Sequence, residues 1–229
     1  MSTIQDTINA LDNFTTATLS NAVNQLGITD PTEGFSDPSI RCLYPELGVM
    51  IGVAITVEIE TMNPNVPNTG LGPLFVELLR QVDAENCPVV IVAKEVGTGS
   101  RFAAHCGEVI ASSLQRLGAV GLFTDAAVRD VNEVRDLGFH FYSRGITPSS
   151  GNARLVRIGG TVTVGGIEIQ SGDLIHGDAD GLLKIPAEGR EQLAQVAMQV
   201  KNGEGGVLEY IRSDGFTLEG LIEILNPVS

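Results

Sequence analysis

The chain contains no tryptophan, only three lysines, three cysteines, and half as many basic as acidic residues. The missing tryptophan carries no functional meaning, but the other scarcities each remove a class of protein. Of the lysines, Lys94, Lys184 and Lys201, only Lys94 closes an apolar strand, and it is the single candidate for a Schiff-base nucleophile. A formal net charge of −14 argues against nucleic-acid binding, which depends on Lys and Arg neutralising phosphates, and equally against an anionic membrane surface. It leaves room for a small anionic substrate, because one arginine and a bound cation can set the local potential. Cys42, Cys87 and Cys106 are odd in number and widely spaced, unlike a disulfide framework or a zinc site, and fit a reducing cytoplasm. Met1–Phe14 lacks the apolar centre of a signal peptide. No apolar stretch approaches the ~20 residues of a membrane span. A cytoplasmic protein is expected.

What is present reads as one globular domain over residues 1–229, with 43% hydrophobic residues, no internal repeat and no dividing linker. Ile8–Leu26 has helical apolar spacing, and Gly27 is placed to cap it. A strand is expected near Val49–Ile59, a loop over Asn63–Gly72 and a helix over Leu74–Val82. A strand at Pro88–Lys94, a helix over Gly107–Leu117, a strand at Ala119–Thr124, a helix starting near Asp130 and a short strand at Phe139–Ser143 follow. From Leu155 short alternating segments separated by glycine-rich turns predict an antiparallel meander. Ala187–Val200 and Thr217–Leu225 read as helices of a C-terminal extension, with Gly203, Gly205 and Gly206 interrupting the first of them.

The strand–helix–strand order makes the two central strands parallel. Glu108 then lies in the first turn of the crossover helix, and Arg129-Asp130 lies just past the carboxyl end of the next strand. Open α/β sheets collect their ligands at that edge. Asp130 offers a hard oxygen ligand for Mg²⁺ or Mn²⁺, which keeps several waters and needs few protein ligands. Arg129 presents a fork for a substrate carboxylate and for charge developing on an enolate oxygen. Glu108 is placed to move a proton. The amides of Gly107, Glu108, Val109 and Ile110 are expected to be open donors for the same carboxylate.

Twenty residues separate Glu108 from Arg129. The pattern G-E-x20-R-D, with Thr124-Asp125-Ala126-Ala127-Val128 before the arginine, resembles the RraA-like family. The catalytic branch of that family holds class II, metal-dependent 4-hydroxy-4-methyl-2-oxoglutarate aldolases. Thr18-Leu19-Ser20-Asn21-Ala22 with Leu26-Gly27 resembles the family's opening helix, and Phe141–Pro148 its F-x-R-G-x-x-P segment. Gly165-Gly166, Gly172-Asp173 and Gly177–Gly181 with Pro186 resemble its closing β region.

The resemblance implies a single α/β domain of swivelling β/β/α type, an αββα sandwich with a parallel βαβ half and a β-meander. It assigns the metal to Asp130 and substrate and catalytic roles to Gly107–Ile110, Glu108 and Arg129. It further implies a 2-oxo acid substrate, an oxaloacetate decarboxylase side activity, and a homotrimer or hexamer in which a neighbour's C-terminal acid reaches the site. Glu204 is the matching acid. Ala126 stands where the family has glycine, and Asn21 where it has aspartate. The family's regulator branch, which inhibits an endoribonuclease, is the non-enzymatic alternative.

Three other features compete. Glu95-Val96-Gly97-Thr98-Gly99-Ser100 after an apolar strand resembles the glycine loop of an S-adenosylmethionine-dependent methyltransferase, although Arg101 replaces its third glycine. Asp178-Ala179-Asp180-Gly181 lacks the further acids of a calcium loop and reads as a hairpin turn. His105, His140 and His176 show no metal-ligand spacing, and His105 is close enough in sequence to Gly107 to line the mouth.

Overall fold

The computed structural model describes residues 3–61, 72–98 and 103–226. The loop expected over Asn63–Gly72 (apart from Gly72) and the Gly99-Ser100-Arg101 part of the glycine segment lie outside them.

Among the described residues seven α-helices and twelve strands follow in the order α1 (Ile4–Leu11), α2 (Thr16–Leu26), β1 (Arg41–Cys42), β2 (Met50–Glu60), α3 (Pro73–Ala84), β3 (Val89–Glu95), α4 (Glu108–Arg116) and β4 (Ala119–Thr124). Then come β5 (Ala127–Val128), α5 (Val131–Leu137), β6 (His140–Ser143), β7 (Gly145–Ile146), β8 (Arg154–Ile158), β9 (Thr161–Val164), β10 (Ile167–Gln170), β11 (Leu174–Asp178), β12 (Gly181–Ile185), α6 (Arg190–Arg212) and α7 (Leu218–Leu225).

The main sheet runs β1-β6-β4-β3-β2-β11-β12. β2, β3, β4 and β6 are mutually parallel, while β1 and β11 add antiparallel at the two sides. The length of β2 lets it serve two partners along one edge: Met50–Val53 pairs with β11 and Val57–Glu60 with β8.

Alternation along β2 sorts its side chains between two cores. Ile55, Val57 and Ile59 face α3, α4 and α5, packing with Leu78, Leu114 and Val134. Ile51 lies on the same face, under α1, α2 and α6 with Leu19 and Leu193. Met50 and Ala54 face the other way, onto Val162, Val164, Ile167 and Ile169 of the β9–β10 hairpin. The layers are therefore hairpin, sheet and helices. The mixed α/β single-domain class is as expected, with the core-packed helices gathered on the helical face among the described residues.

Local differences from the sequence reading have physical causes. The expected Ile8–Leu26 helix is two helices, because Thr15 caps α2 by accepting the Thr18 amide at 3.2 Å, and buried Phe14 anchors the turn between them. Gly27 does cap α2, with φ of 64°. The meander divides: β9–β10 is a hairpin of its own, while β8, β11 and β12 join the main sheet. The strand pattern was visible, but a period of two does not say which layer a strand joins. The Asp178–Gly181 turn joins β11 to β12 as a hairpin. Gly203, Gly205 and Gly206 do not interrupt α6, which runs on for 23 residues. A cost of about 1 kcal/mol per glycine is small beside the packing of the N-terminal half of α6 on α2 and the contact of its far end with α7. No helix among the described residues is long and apolar enough to cross a membrane.

Two histidines are buried away from the mouth. His176 is fully buried, its Nδ1 3.0 Å from Thr16 Oγ1, and burial pushes its pKa down to about 4. Burial likewise lowers His140. The unfolded chain takes up these protons near pH 6.5, whereas native His176 stays neutral down to about pH 4. Stability present above pH 6.5 is therefore lost progressively as the pH falls. For His176 the loss between pH 7 and pH 5 is about 2 kcal/mol, or roughly 5 °C in melting temperature. Melting curves at the two pH values check this. The slope should flatten in His176→Gln, and an unchanged slope would assign the acid sensitivity to other groups.

Candidate active site

The mouth is built where β3 and β4 end. After Thr124 the chain forms β5, which pairs with β7 on one side and with the segment before α4 on the other. The His105 amide donates to Ala127 O at 2.9 Å, and the Arg129 amide donates to Cys106 O at 3.0 Å. This short ladder sets Arg129-Asp130 directly beside Cys106-Gly107-Glu108, as the sequence spacing implied.

Asp130 has φ of 55°, the one positive value of a non-glycine residue among those described. It occupies the N-cap position of α5, yet its side chain does not cap that helix. Its Oδ2 instead accepts the Glu108 amide, the first N–H of α4, at 2.9 Å. Arg129 Nε lies 3.5 Å from the same oxygen. Gly107 makes this approach possible: a Cβ there would overlap Asp130 Oδ2 and come within 2.9 Å of Arg129 Cγ and Nε. Left-handed backbone at a non-glycine residue costs on the order of 1–3 kcal/mol and is kept where the surroundings impose it.

The arginine and aspartate side chains remain 40% and 38% exposed, open to a ligand. Oδ1 of Asp130 takes no hydrogen bond among the described residues, so the carboxylate is oriented by one oxygen and presents the other. Among the described residues no cluster of three or more His, Cys, Asp or Glu is placed to hold a metal. That donor set fits Mg²⁺ or Mn²⁺, which use one or two carboxylates and keep their waters, and it does not fit zinc.

The four expected backbone donors are not equivalent. The Glu108 amide is already taken by Asp130. The Val109 and Ile110 amides have no acceptor among the described residues. The Val109 side chain is 80% exposed, whereas Ile110 packs on the helical-side core. Ala126 has negative φ, so the turn at that position does not require glycine. Glu204, the acid matched to the family's C-terminal one, accepts from Asn21 Nδ2 of its own chain at 3.1 Å.

Beneath the mouth lies a polar network that the sequence reading did not assemble. Lys94 Nζ contacts the buried Asp125 Oδ2 at 2.5 Å, and Asp125 Oδ1 accepts the Glu95 amide. His105 does not line the mouth. Its ring is buried, with Nε2 at 2.9 Å from Glu95 Oε2 and Nδ1 at 2.8 Å from Thr124 Oγ1. Burial pushes the Glu95 carboxyl upward, but its bonds to His105 and Thr61 outweigh that and hold it below the ordinary value. Gly97 sits where a Cβ would collide with the Thr61 backbone and the Glu95 carboxylate, and its N–H donates to Glu95 Oε1. This glycine thus has a packing reason, and its amide is not open to a cofactor phosphate or ribose. Burial raises the Cys106 thiol well above its ordinary value, which makes it a poor nucleophile.

Fold and site together define a mixed α/β domain with an oriented carboxylate and a guanidinium at the carboxyl edge of its parallel strands. Residues 16–183 match the RraA-like family, described as Aldolase/RraA, and the chain belongs to that family. A relative from Halalkalibacterium halodurans named "Putative 4-hydroxy-4-methyl-2-oxoglutarate aldolase" is 35% identical over 109 residues, 47% of this chain. The matched stretch spans about half (51%) of that relative's length. Among solved structures, an uncharacterized protein from Pseudomonas syringae pv. tomato shares the fold at a TM-score of 0.75 and 24% identity, covering 96% of this chain and 94% of that one. An unusual Streptomyces coelicolor member of the RNase ES inhibitor RraA family shares it at 0.71 and 22%, covering 90% and 97%.

The glycine geometry generates a paired test. Gly107→Ala should destabilise by about 1–3 kcal/mol through overpacking, because Arg129 and Asp130 have to move. Gly203→Ala, with open space around it on α6, should stabilise by up to about 1 kcal/mol. Urea midpoints at unchanged slope report both, and equal effects would remove the steric argument for Gly107.

Proposed function

We propose that this protein is a divalent-metal-dependent lyase that cleaves 4-hydroxy-4-methyl-2-oxoglutarate, or a related 4-hydroxy-2-oxo acid, to pyruvate and a second carbonyl product. The observation that carries the reading is the Asp130 carboxylate, held in a left-handed backbone beside Gly107 with one oxygen presented. Cleavage of the bond between C3 and C4 leaves an electron pair that must be accepted at the C2 carbonyl. A cation held by Asp130 supplies Lewis-acid polarisation of that carbonyl when bound.

The chain's own residues do the rest. Arg129 holds the substrate carboxylate and faces the oxygen on which charge develops. Glu108, exposed at the start of α4, accepts the proton of the 4-hydroxyl as the bond breaks and returns it to C3. The amides of Val109 and Ile110 add donors for the carboxylate. A Schiff-base route is less well supported, because Lys94 is engaged by a buried carboxylate. Oxaloacetate decarboxylation is the expected side activity, since it passes through the same pyruvate enolate.

Pyruvate release from a panel of 2-oxo acids, with and without Mg²⁺ or Mn²⁺, tests the reading. Chelation should abolish activity, and Asp130→Asn should weaken metal binding. Arg129→Lys keeps the charge but loses the fork, and kcat/KM should fall at least tenfold, about 1.4 kcal/mol. Full activity in excess chelator would sink the mechanism and return attention to Lys94. If no substrate releases pyruvate while the protein inhibits an endoribonuclease, the regulatory reading replaces it.

The reading extends to assembly. The short helix α7 buries none of its residues, and Leu218, Ile222 and Leu225 are each at least half exposed. Such an apolar face calls for a cover, and a second copy of the chain in a trimer or hexamer is the proposed one. Light scattering should give three chains or a multiple of three, and Ile222→Asp with Leu225→Asp should lower that number. A fully active monomer at nanomolar concentration contradicts a shared site.

A further inference from the structure

Thr124, His105 and Glu95 form a hydrogen-bonded line of the kind that serves nucleophilic catalysis: hydroxyl, imidazole and carboxylate at 2.8 and 2.9 Å. Here it cannot serve that chemistry. Thr124 is fully buried, His105 is 2% and Glu95 8% exposed, so no substrate reaches the hydroxyl. The bonding is also complete. The Ala126 amide donates to Thr124 Oγ1 at 3.1 Å, and with the His105 proton on Nε2 the Thr124 hydroxyl donates to His105 Nδ1. His105 Nε2 then donates to Glu95, whose two oxygens also accept from the Thr61 amide, the Thr61 hydroxyl and the Gly97 amide. In this arrangement each donor has an acceptor and no group remains to react.

The position of the line in the chain explains its use. Glu95 ends β3, Thr124 ends β4, and His105 stands three residues before Glu108. Among the described residues the backbone holds the segment before α4 by two hydrogen bonds to residues 127–129 and by the Ala104 amide, which donates to Ser149 O at 2.8 Å. The imidazole adds a side-chain anchor driven between two strand ends. It acts on the peptide that carries Gly107 toward Asp130.

We infer that His105, tied to Glu95 and Thr124, is a positioning residue that fixes the Gly107-Glu108 peptide against Asp130 and so orients the carboxylate at the mouth. The inference deepens the metal-site reading above and rests on it only for its consequence in metal affinity. The anchor itself is a statement about the Glu108–Asp130 contact.

The test measures that contact directly. Hydrogen exchange of the Glu108 amide is followed by NMR and compared with that of Ile91, a core amide of β3. Three variants are used. Thr124→Val is close to isosteric and removes one end of the line, His105→Phe keeps a ring without nitrogens, and His105→Gln keeps both an amide donor for Glu95 and an amide oxygen to accept the Thr124 hydroxyl. In Thr124→Val and His105→Phe, Glu108 protection is expected to fall at least tenfold more than that of Ile91. In His105→Gln the two amides should change together. Mn²⁺ affinity, measured by calorimetry, should fall at least tenfold in the first two variants and less than threefold in the third.

If His105→Phe fails to fold, Thr124→Val decides alone. Glu108 protection that tracks Ile91 within twofold in Thr124→Val overturns the inference and leaves the line as core packing. Should the parent protein take up no Mn²⁺, the metal reading fails, and the exchange measurement still decides the anchor.

Discussion

The hydrogen bond from the Glu108 amide to the Asp130 carboxylate joins two βα units that the sequence keeps 22 residues apart. It uses the first orphan donor of α4 and a carboxylate that would ordinarily cap α5. Around it the other features of the mouth become mutually necessary. Gly107 has no side chain because Oδ2 occupies the space, Asp130 accepts a strained backbone to turn away from its own helix, and Arg129 is held by the same ladder. Removing any one of these leaves the others without a reason.

The sheet supplies the rigidity this contact needs. β3 and β4 are central strands, paired on both sides and covered by packing on both faces. Their carboxyl ends therefore make a fixed platform, on which a few polar side chains can be held to hydrogen-bonding tolerance. The polar layer under the mouth is fully partnered where it is buried, consistent with the high cost of an unmatched group at low dielectric. On the proposed reading an acidic protein accepts an anionic ligand at such a place, because Arg129 lies at the surface and a cation held by Asp130 would add to its positive potential.

Much of the fold was legible. The β3–α4–β4 unit was bounded to within one residue, because a buried parallel strand, a first-turn acid and a glycine after the helix are strong local signals. The late strands were visible as alternation, yet their division between hairpin and sheet was not, since layer membership depends on distant partners. The continuation of α6 through three glycines was misread, because propensity is local and the packing on α2 and α7 is not. At the mouth, the meeting of Arg129-Asp130 with Glu108 was legible from their spacing. The sequence allowed His105 to line the mouth without requiring it, because nothing in its neighbours tells that its ring turns inward. Lys94 and Glu95, charged residues closing an apolar strand, were the sequence signals of the buried network.

By itself the sequence determined which residues meet at one edge of the sheet, since alternation of strand and helix places every turn after a parallel strand on the same side. It also determined the family, through a spacing and a set of turn residues that survive without the rest of the chain. Only the tertiary structure decided which donors there are spent and which remain open. The Glu108 amide is taken and those of Val109 and Ile110 have no acceptor among the described residues, because a hydrogen bond belongs to whichever acceptor the folded backbone brings within 3 Å. That selection depends on the angle of a single aspartate, and no local pattern encodes it.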